Sequence, residues 1–365
     1  MAYMNVEEIE SALESLAESY PRETKLISLP NKTSEGRQSH ALRIGAMEAS
    51  ARHAVVVTGG LHAREWVPPD ALVNLAADLL EAHEKGTGLR YGNQKFTAND
   101  IKTIVEELQL ILFPCVNPDG RHHSQTAEPM WRKNRRAVKP QAGLRCVGVD
   151  INRNFDALWD FRRHFAEDSG VSASDDPCDL QVYVGPASAS EAETQNVVWL
   201  LDQYPGTRWF VDVHSYVPAV YYNWGFDVNQ SSTSSMNFHN PEFDGQRGRA
   251  RDAYREYIPK EDQQDLVTLG TAMNKAIKKV NGDGYTFDQS FSLYPTSGTS
   301  DDYAYSRHFV DTAKGKILGF TVECGRSFQP PWQEAENVIR EVCAGLIAFC
   351  LAARDQDART SALTM

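Results

Sequence analysis

The amino-acid sequence predicts an α/β fold: a single domain in which a mixed parallel and antiparallel sheet of about eight strands is flanked by helices. Strand-like and helix-like segments alternate along the chain. Two apolar runs, AVVVT and LQLILF, lack the polar alternation of a half-exposed strand, as expected of strands covered on both faces. The length of 365 residues suits one large α/β domain or two ordinary ones, and we expect one, spanning residues 1–365.

The individual elements follow from hydrophobic periodicity. The predicted helices cover residues 6–20, 68–80, 191–201, 268–280 and 335–353. The predicted strands cover residues 25–29, 41–44, 54–58, 108–113, 208–213, 220–222 and 316–322. Prolines near the start of the second helix support its N-terminus. The polar segment 227–264 is expected to be an excursion or lid on the same domain.

Charge and hydropathy exclude two classes of partner. The formal net charge of −12 argues against a nucleic-acid binder, which needs basic surface to neutralise phosphates. No apolar stretch reaches the roughly 18 residues that span a bilayer. The acidic N-terminus lacks the pattern of a secretory signal. We therefore expect no nucleic-acid partner and no membrane segment, and a chain that acts as a monomer.

Polar residues that suit a metal follow three of the apolar strands. His62 and Glu65 come after AVVVTGG, His214 follows RWFVDV, and Glu323 ends the run GKILGFTVE. Ligands of open α/β sheets bind beyond the carboxyl ends of the strands. A catalytic zinc ion takes three protein ligands, commonly histidine and carboxylate, and keeps one open position. Taken alone, His62 could be a solvated loop histidine and Glu65 a residue of a helix's first turn.

Seven motifs in this order give the chain a family resemblance. They are GGLHAREW, FPCVNPDG, MWRKNRR, CVGVDINRNFD, DVHSY, LYPTSGTSDDYAYS and FTVECG, and the resemblance covers most of the chain, from about residue 10 to residue 353. The chain resembles the zinc metallocarboxypeptidases of the pancreatic A/B type. The resemblance implies one Zn²⁺ per chain on His62, Glu65 and His214. It also implies that Glu323 is the general base for a water molecule that zinc activates.

The resemblance assigns further residues to the substrate. Arg132 would stabilise the oxyanion, although it could belong to a solvated basic cluster with its neighbours 133, 135 and 136, which is the reading we favour for those three. Asn152 and Arg153 would hold the terminal carboxylate of a peptide, and Tyr294 would close over it. Arg64 would lie on the substrate side, unless it pairs with a local acid.

Asp301 predicts the specificity. The residue seven positions after the mobile tyrosine forms the base of the terminal side-chain pocket in this family, and an aspartate there selects lysine or arginine. The alternative is a loop aspartate beside Asp302. Mixed basic and apolar specificity is the second possibility. A zinc amidohydrolase of N-acyl amino acids and a non-catalytic peptide binder are the remaining ones.

The resemblance also implies a disulfide between Cys146 and Cys178, as in secreted members. We therefore expect a secreted, processed form without a prodomain, acting on the C-termini of peptides or proteins, although a cytoplasmic location stays possible. Cys343 and Cys350 are seven residues apart on a predicted helix, about 10 Å along its axis, and cannot bridge each other. These two, Cys115 and Cys324 are expected to be core residues.

Overall fold

The computed structural model describes residues 3–45, 53–138 and 146–363, and it has the predicted α/β architecture. The strands are β1 Thr24–Ser28, β2 His40–Ile44, β3 Ala54–Gly59, β4 Leu89–Tyr91, β5 Gln94–Phe96, β6 Gln109–Phe113, β7 Ala137–Val138, β8 Cys146–Val147, β9 Thr207–His214, β10 Ala219–Tyr222, β11 Asn229–Gln230, β12 Glu256–Tyr257, β13 Thr286–Gln289 and β14 Leu318–Glu323. The α-helices are α1 Val6–Ser19, α2 Val67–Lys85, α3 Ala98–Glu107, α4 Pro118–Thr126, α5 Phe161–His164, α6 Ala192–Gln203, α7 Lys260–Asn281, α8 Ser300–Val310 and α9 Trp332–Leu363. No helix among the described residues is long and apolar enough to cross a membrane.

Eight strands form the central sheet in the order β1-β2-β6-β3-β9-β14-β10-β13. The four middle strands, β6, β3, β9 and β14, run parallel to one another. The pairs β1–β2, β2–β6 and β10–β14 are antiparallel, so the sheet is mixed as predicted. Because the middle strands are parallel, their carboxyl ends meet at one edge of the sheet.

The pairing register determines what lies at that edge. His214 of β9 is paired with Glu323 of β14, and Val213 is paired with Gly59 at the end of β3. The last residues of three strands therefore stand in one row. The chain leaving Gly59 carries His62 and Glu65, so this row brings the predicted polar residues to a common place.

Helices cover both faces of the sheet around this row. All six residues of β3 are buried, which explains its uninterrupted apolar sequence. On β14, the Phe320 ring meets the Phe349 ring of α9 with centroids 5.0 Å apart. The next residue, Thr321, points to the opposite face and donates a hydrogen bond to Asp301 of α8 at 3.1 Å.

All of the predicted elements are present, with shifted ends, and four α-helices of the described residues were missed: α3, α4, α5 and α8. The helix predicted at 268–280 begins at Lys260. The missed helix α3 has a capping box formed by Thr97 and Asp100. Helix α8 was missed because residues 300–307 are all buried, which removes the polar face that marks an amphipathic helix.

The polar excursion is shorter than predicted, because its last five residues belong to α7. The remaining part, 227–259, includes the short paired strands β11 and β12. Its centre is the fully buried Arg247. The guanidinium donates to the carbonyls of Asn237, Asn240 and Phe243 and to the Asp244 carboxylate, at 3.1–3.2 Å. An arginine with this many acceptors orders a segment that has little apolar side-chain area of its own.

A disulfide joins Cys146 and Cys178, the pair that the resemblance implied. Its sequence separation of 32 residues encloses the stretch that contains Asn152 and Arg153. The other cysteines, Cys115, Cys324, Cys343 and Cys350, are buried free thiols, as expected of core residues.

Removing this disulfide tests its contribution to the fold. We expect the double variant Cys146→Ser/Cys178→Ser to unfold with a free energy lower by about 3–4 kcal/mol, because a loop of this length loses its closure in the unfolded chain. Urea denaturation of variant and wild type measures the difference. Reduced wild-type protein is the matched control and should behave like the variant. An unchanged midpoint would show that the bond does not stabilise the fold.

Candidate active site

A tight turn after β3 brings His62 and Glu65 back to the sheet edge. Gly60 has φ +69°, and a Cβ there would lie 3.0 Å from the Pro69 side chain and 3.3 Å from the Pro114 carbonyl, so the turn favours glycine. The Ala63 amide donates to the Arg132 carbonyl at 2.9 Å. Glu65 precedes α2 by two residues, so the alternative of a first-turn residue is wrong.

His62, Glu65 and His214 form one compact buried cluster. His62 Nδ1 lies 2.7 Å from Glu65 Oε1, and His214 Nδ1 lies 3.0 Å from Glu65 Oε2. The two Nδ1 atoms are 3.1 Å apart. Potential ligand atoms of all three residues lie within 4.8 Å of one another. Among the described residues this is the one such group found, and its two imidazoles and one carboxylate are the donor set that zinc prefers at catalytic sites.

The charges in this cluster act strongly on one another. Burial alone would raise the pKa of Glu65, but the neighbouring His62 and His214 lower it below its usual range. Burial acts to lower the pKa of His214, yet the carboxylates of Asp212 and Glu65 raise it well above its ordinary value. Carboxylates and imidazoles thus lie within hydrogen-bonding distance of one another, in side chains that are buried.

Glu323 lies beside the cluster at the end of β14, and its carboxylate faces the same cavity as His62 and Glu65. Its Oε2 atom is buried and has no hydrogen-bond partner. Burial and the charge of Glu65 raise its pKa to about 8. A carboxylate in this state is a strong base with a free acceptor atom.

Arg132 is also buried at the cavity and is not part of a solvated basic run. Its Nε and Nη2 atoms donate to Asp150 Oδ2 at 3.0 and 2.8 Å. The other oxygen of Asp150 lies 3.2 Å from His62 Nε2. Asp150 therefore connects the cation to a member of the cluster. We did not single out Asp150 from the sequence, although it stands two residues before Asn152.

One neighbour of Arg132 contradicts the prediction. Lys133 was expected in solvent but is only 2% exposed, and its Nζ donates to the carbonyl of Asp179. Arg135 instead lies over the Trp131 ring at 4.7 Å, and Arg136 pairs with buried Glu191 at 2.6 Å. Lys133, Arg135 and Arg136 are close together in the sequence, yet their side chains have three different environments.

Asn152 and Arg153 lie in a short 3₁₀ turn at the cavity wall. Asn152 Oδ1 accepts a hydrogen bond from the Ser300 amide at 2.8 Å, which orients the amide group. Arg153 Nε donates to the Ser172 carbonyl at 2.5 Å. Gly298, with φ +66°, lets the backbones meet closely, because a Cβ there would lie 2.4 Å from the Arg153 carbonyl oxygen. Both side chains are therefore held rigidly.

The cavity has a volume of about 240 Å³, and its rim carries Tyr294 and Arg64. Tyr294 is 38% exposed, in keeping with a side chain that is free to move. The Arg64 guanidinium lies 4.3 Å from the centre of the Phe328 ring and donates to Gln181 Oε1 at 2.8 Å. It therefore pairs with an amide rather than with the local acid considered above.

Asp301 forms part of the cavity wall, in the first turn of α8 rather than in a loop. It is 3% exposed, and its Oδ2 accepts hydrogen bonds from Thr321 Oγ1 at 3.1 Å and from Ser290 Oγ at 3.3 Å. The adjacent Asp302 is bound to Asn223 and Gly225. Burial and the charge of Asp301 raise the pKa of Asp302 well above its ordinary value. Of the two acids, Asp301 is the one that lines the cavity.

Comparison with known proteins identifies the family. A sequence model described as zinc carboxypeptidase matches residues 9–345. Carboxypeptidase B of Astacus astacus is 29% identical over 305 residues, which cover 83% of this chain and 82% of that protein. Carboxypeptidase A4 of Mus musculus is 26% identical over 305 residues, or 83% of this chain. The match spans 60% of the mouse protein, less than two thirds of its length.

Solved structures share the fold. Bovine thrombin-activatable fibrinolysis inhibitor, in complex with a tick carboxypeptidase inhibitor, superposes with a TM-score of 0.71 at 21% identity, covering 97% of this chain and 98% of that one. Carboxypeptidase A from Helicoverpa armigera gives a TM-score of 0.69 at 21% identity, covering 96% of this chain and 73% of that one.

Metal analysis tests the cluster directly. We expect the wild-type chain to bind one zinc ion, and His62→Ala, Glu65→Ala and His214→Ala each to weaken binding by more than the 10–100-fold typical of a lost outer-shell partner, since each removes a ligand atom. Competition with a chromophoric chelator measures the affinity. His122→Ala, in α4 and outside the cluster, is the control and should bind like wild type. A ligand variant with undiminished affinity would remove that residue from the site.

Proposed function

Because the chain belongs to the zinc carboxypeptidase family, we propose that it hydrolyses the last peptide bond of peptide or protein substrates and releases one amino acid. One observation carries this proposal: a single cavity is lined by members of the metal-binding cluster, by a carboxylate with an unpaired oxygen atom and by two arginines. These are His62, Glu65, Glu323, Arg132 and Arg153. The remaining role assignments below follow from their positions around this cavity.

His62, Glu65 and His214 would hold the zinc ion, through the atoms that converge within 4.8 Å. Zinc bound there would lower the pKa of a water molecule and polarise the scissile carbonyl. The three side chains are buried and linked to other elements, so the donor atoms are in place before a metal arrives.

Arg153 and Asn152 would bind the terminal carboxylate. A guanidinium matches both oxygens of a carboxylate, and the Asn152 amide, oriented by Ser300, adds a further donor. Tyr294 at the rim would then close over the bound end and exclude water. This arrangement requires a free C-terminus, because an internal peptide carbonyl has no charge for the two donors to bind.

Arg132 would donate to the carbonyl oxygen as negative charge develops on it. Its bonds to Asp150 fix the guanidinium before the reaction, so no reorganisation is needed when the charge appears. Fixed donors of this kind contribute more inside a dry cavity than in water. The same bonds hold Asp150 next to His62, so the Arg132 guanidinium keeps a fixed position relative to the metal-binding cluster.

Glu323 would take a proton from the attacking water and pass it to the leaving amine. Burial, the largest cause of its raised pKa, persists when zinc is bound, and a carboxyl group with a raised pKa can accept and return a proton. The unpaired Oε2 atom leaves an acceptor free for the water.

Replacing Glu323 separates chemistry from binding. We expect Glu323→Gln to lower kcat by about 10²–10⁴-fold while zinc affinity and KM change little, because the amide cannot accept the proton. Steady-state hydrolysis of a blocked dipeptide, together with metal titration, measures this. Glu341→Gln, which alters a largely buried carboxylate bonded to Tyr285, is the control with wild-type turnover. If wild-type protein bound zinc and peptide yet cleaved nothing, the chain would be a peptide binder.

Asp301 supports a preference for lysine or arginine at the substrate's C-terminus. A buried carboxylate is unfavourable unless a cation or hydrogen bonds compensate it. Mixed specificity is the second candidate, and one observation favours it. The hydroxyls of Thr321 and Ser290 already donate to Asp301, so an apolar side chain would not leave the carboxylate without partners.

Two blocked dipeptides, one ending in arginine and one in phenylalanine, decide between these candidates. For a basic pocket, Asp301→Ala should lower the arginine-to-phenylalanine ratio of kcat/KM by about 100-fold or more, since breaking a buried pair costs about 3–5 kcal/mol. Asp288→Asn, an exposed acid on β13, should leave the ratio unchanged. A phenylalanine preference that is insensitive to Asp301→Ala would contradict the basic assignment and leave the hydrolytic mechanism intact.

Peptides are favoured over N-acyl amino acids as substrates, because Tyr216 and Val217 extend the cavity lining outwards and are 44% and 42% exposed. An exposed apolar rim suits further residues of a peptide. Comparing hydrolysis of longer peptides and N-acyl amino acids separates the two classes. The disulfide further supports secretion, since such bonds persist in oxidising compartments.

A further inference from the structure

A carboxylate stands behind the second histidine of the cluster. Asp212 lies on β9 two residues before His214, so both side chains point to the same side of the strand. It is fully buried, in a strand that also buries the apolar residues Phe210, Val211 and Val213. A buried carboxylate in such a strand needs partners that offset its loss of water. The groups that bind the two oxygen atoms of Asp212 indicate its role.

Three groups from three elements hold the Asp212 carboxylate. Thr58 Oγ1 of β3 donates to Oδ1 at 2.8 Å, and Ser300 Oγ of α8 donates to Oδ2 at 2.5 Å. His214 Nε2 lies 2.8 Å from Oδ2. Because the carboxylate can only accept hydrogen bonds, His214 Nε2 must carry the hydrogen. The other nitrogen, Nδ1, faces Glu65 and His62, so a metal ion that replaces hydrogen on this ring would take Nδ1 and leave the hydrogen on Nε2.

We propose that Asp212 is a positioning residue that fixes His214 in the tautomer and orientation required of a metal ligand. Asp150 stands in the same relation to His62, with Oδ1 3.2 Å from Nε2. Each histidine of the cluster thus has its own carboxylate. Such partners fix the ring and make the coordinating nitrogen more basic.

The hydrogen on His214 Nε2 also affects the hydrogen bonding of Asn152. Its Nδ2 lies 3.3 Å from His214 Nε2, which cannot accept a hydrogen bond while it is protonated and bonded to Asp212. The amide hydrogens of Asn152 therefore remain available to a substrate carboxylate. Ser300 links the two groups, because its hydroxyl donates to Asp212 and its backbone amide donates to Asn152 Oδ1. Asp212 accordingly connects the metal ligand to the residue assigned to the terminal carboxylate.

Zinc affinity measured on apo protein tests this inference, which rests on the proposed metal site. We expect Asp212→Asn to weaken zinc binding about 10–100-fold, and Asp212→Ala to weaken it further, because asparagine keeps an acceptor without the charge. Competition with a chromophoric chelator gives the affinity. Nitrogen-15 NMR of the histidine rings in the zinc-loaded protein gives the tautomer, and His214 should be protonated at Nε2 in wild type but not uniformly so in Asp212→Ala.

Two further variants keep the test interpretable. Ser297→Ala removes a buried hydroxyl that bonds to the Leu158 carbonyl, outside this network, and should bind zinc like wild type. If Asp212→Ala fails to fold, Thr58→Val removes one support of the carboxylate and should weaken binding by a smaller factor. Zinc affinity of Asp212→Asn within twofold of wild type would overturn the role of Asp212. Wild-type protein that binds no zinc would instead overturn the proposed function.

Discussion

The parallel alignment of β3, β9 and β14 is the constraint on which the site depends. Their register pairs His214 with Glu323 and Gly59 with Val213. His214 and Glu323 therefore lie in one row at the sheet edge, and the turn that carries His62 and Glu65 begins beside that row. A slip of one residue would turn every side chain of a strand to the opposite face. The buried apolar residues of these strands prevent such a slip. Hydrophobic packing far from the cavity therefore determines distances of about 3 Å inside it.

Several buried acidic residues lie near this row of strand ends. Glu65, Asp150, Asp212 and Glu323 lie within a short distance of one another, and Arg132 bonds directly to only one of them. Buried carboxylates are unfavourable unless cations or donors compensate them. Two hydroxyls and one histidine compensate Asp212. Glu323, by contrast, retains a raised pKa and an unpaired oxygen. A divalent cation between His62, Glu65 and His214 would offset this excess of negative charge. The unpaired, buried carboxylate of Glu323 lowers local stability, and in the proposed mechanism it is the group that transfers protons.

Sequence patterns predicted seven of the eight strands of the central sheet, five of the α-helices and the residues that follow the strands, because each depends on periodicity or on a local turn. They did not predict that Lys133 is buried, since its acceptor is the carbonyl of Asp179, 46 residues away. Helix α8 was missed because burial on all sides removes the helical period. Asp212 had a signal that we did not use: an aspartate within the apolar run RWFVDV indicates a buried partner. The identity of that partner depends on how distant strands and α8 come together, which spacing alone does not contain.

Hydrogen bonds join the segment that contains Tyr294 to the chain just before the excursion at 227–259, and they confine movement of that segment to a few residues. The amides of Phe291 and Thr296 donate to the carbonyls of Trp224 and Gly225, at 3.1 and 2.9 Å. Gln289 also donates to the Trp224 carbonyl at 2.8 Å. The segment is therefore anchored on both sides of Tyr294 to the chain that enters the excursion. Between these anchors, Leu293 and Tyr294 are each 38% exposed. The proposed closure of Tyr294 over a substrate would then need only a local rearrangement while Asp301, Asn152 and Arg153 stay fixed, so binding would order one short segment rather than a whole lid.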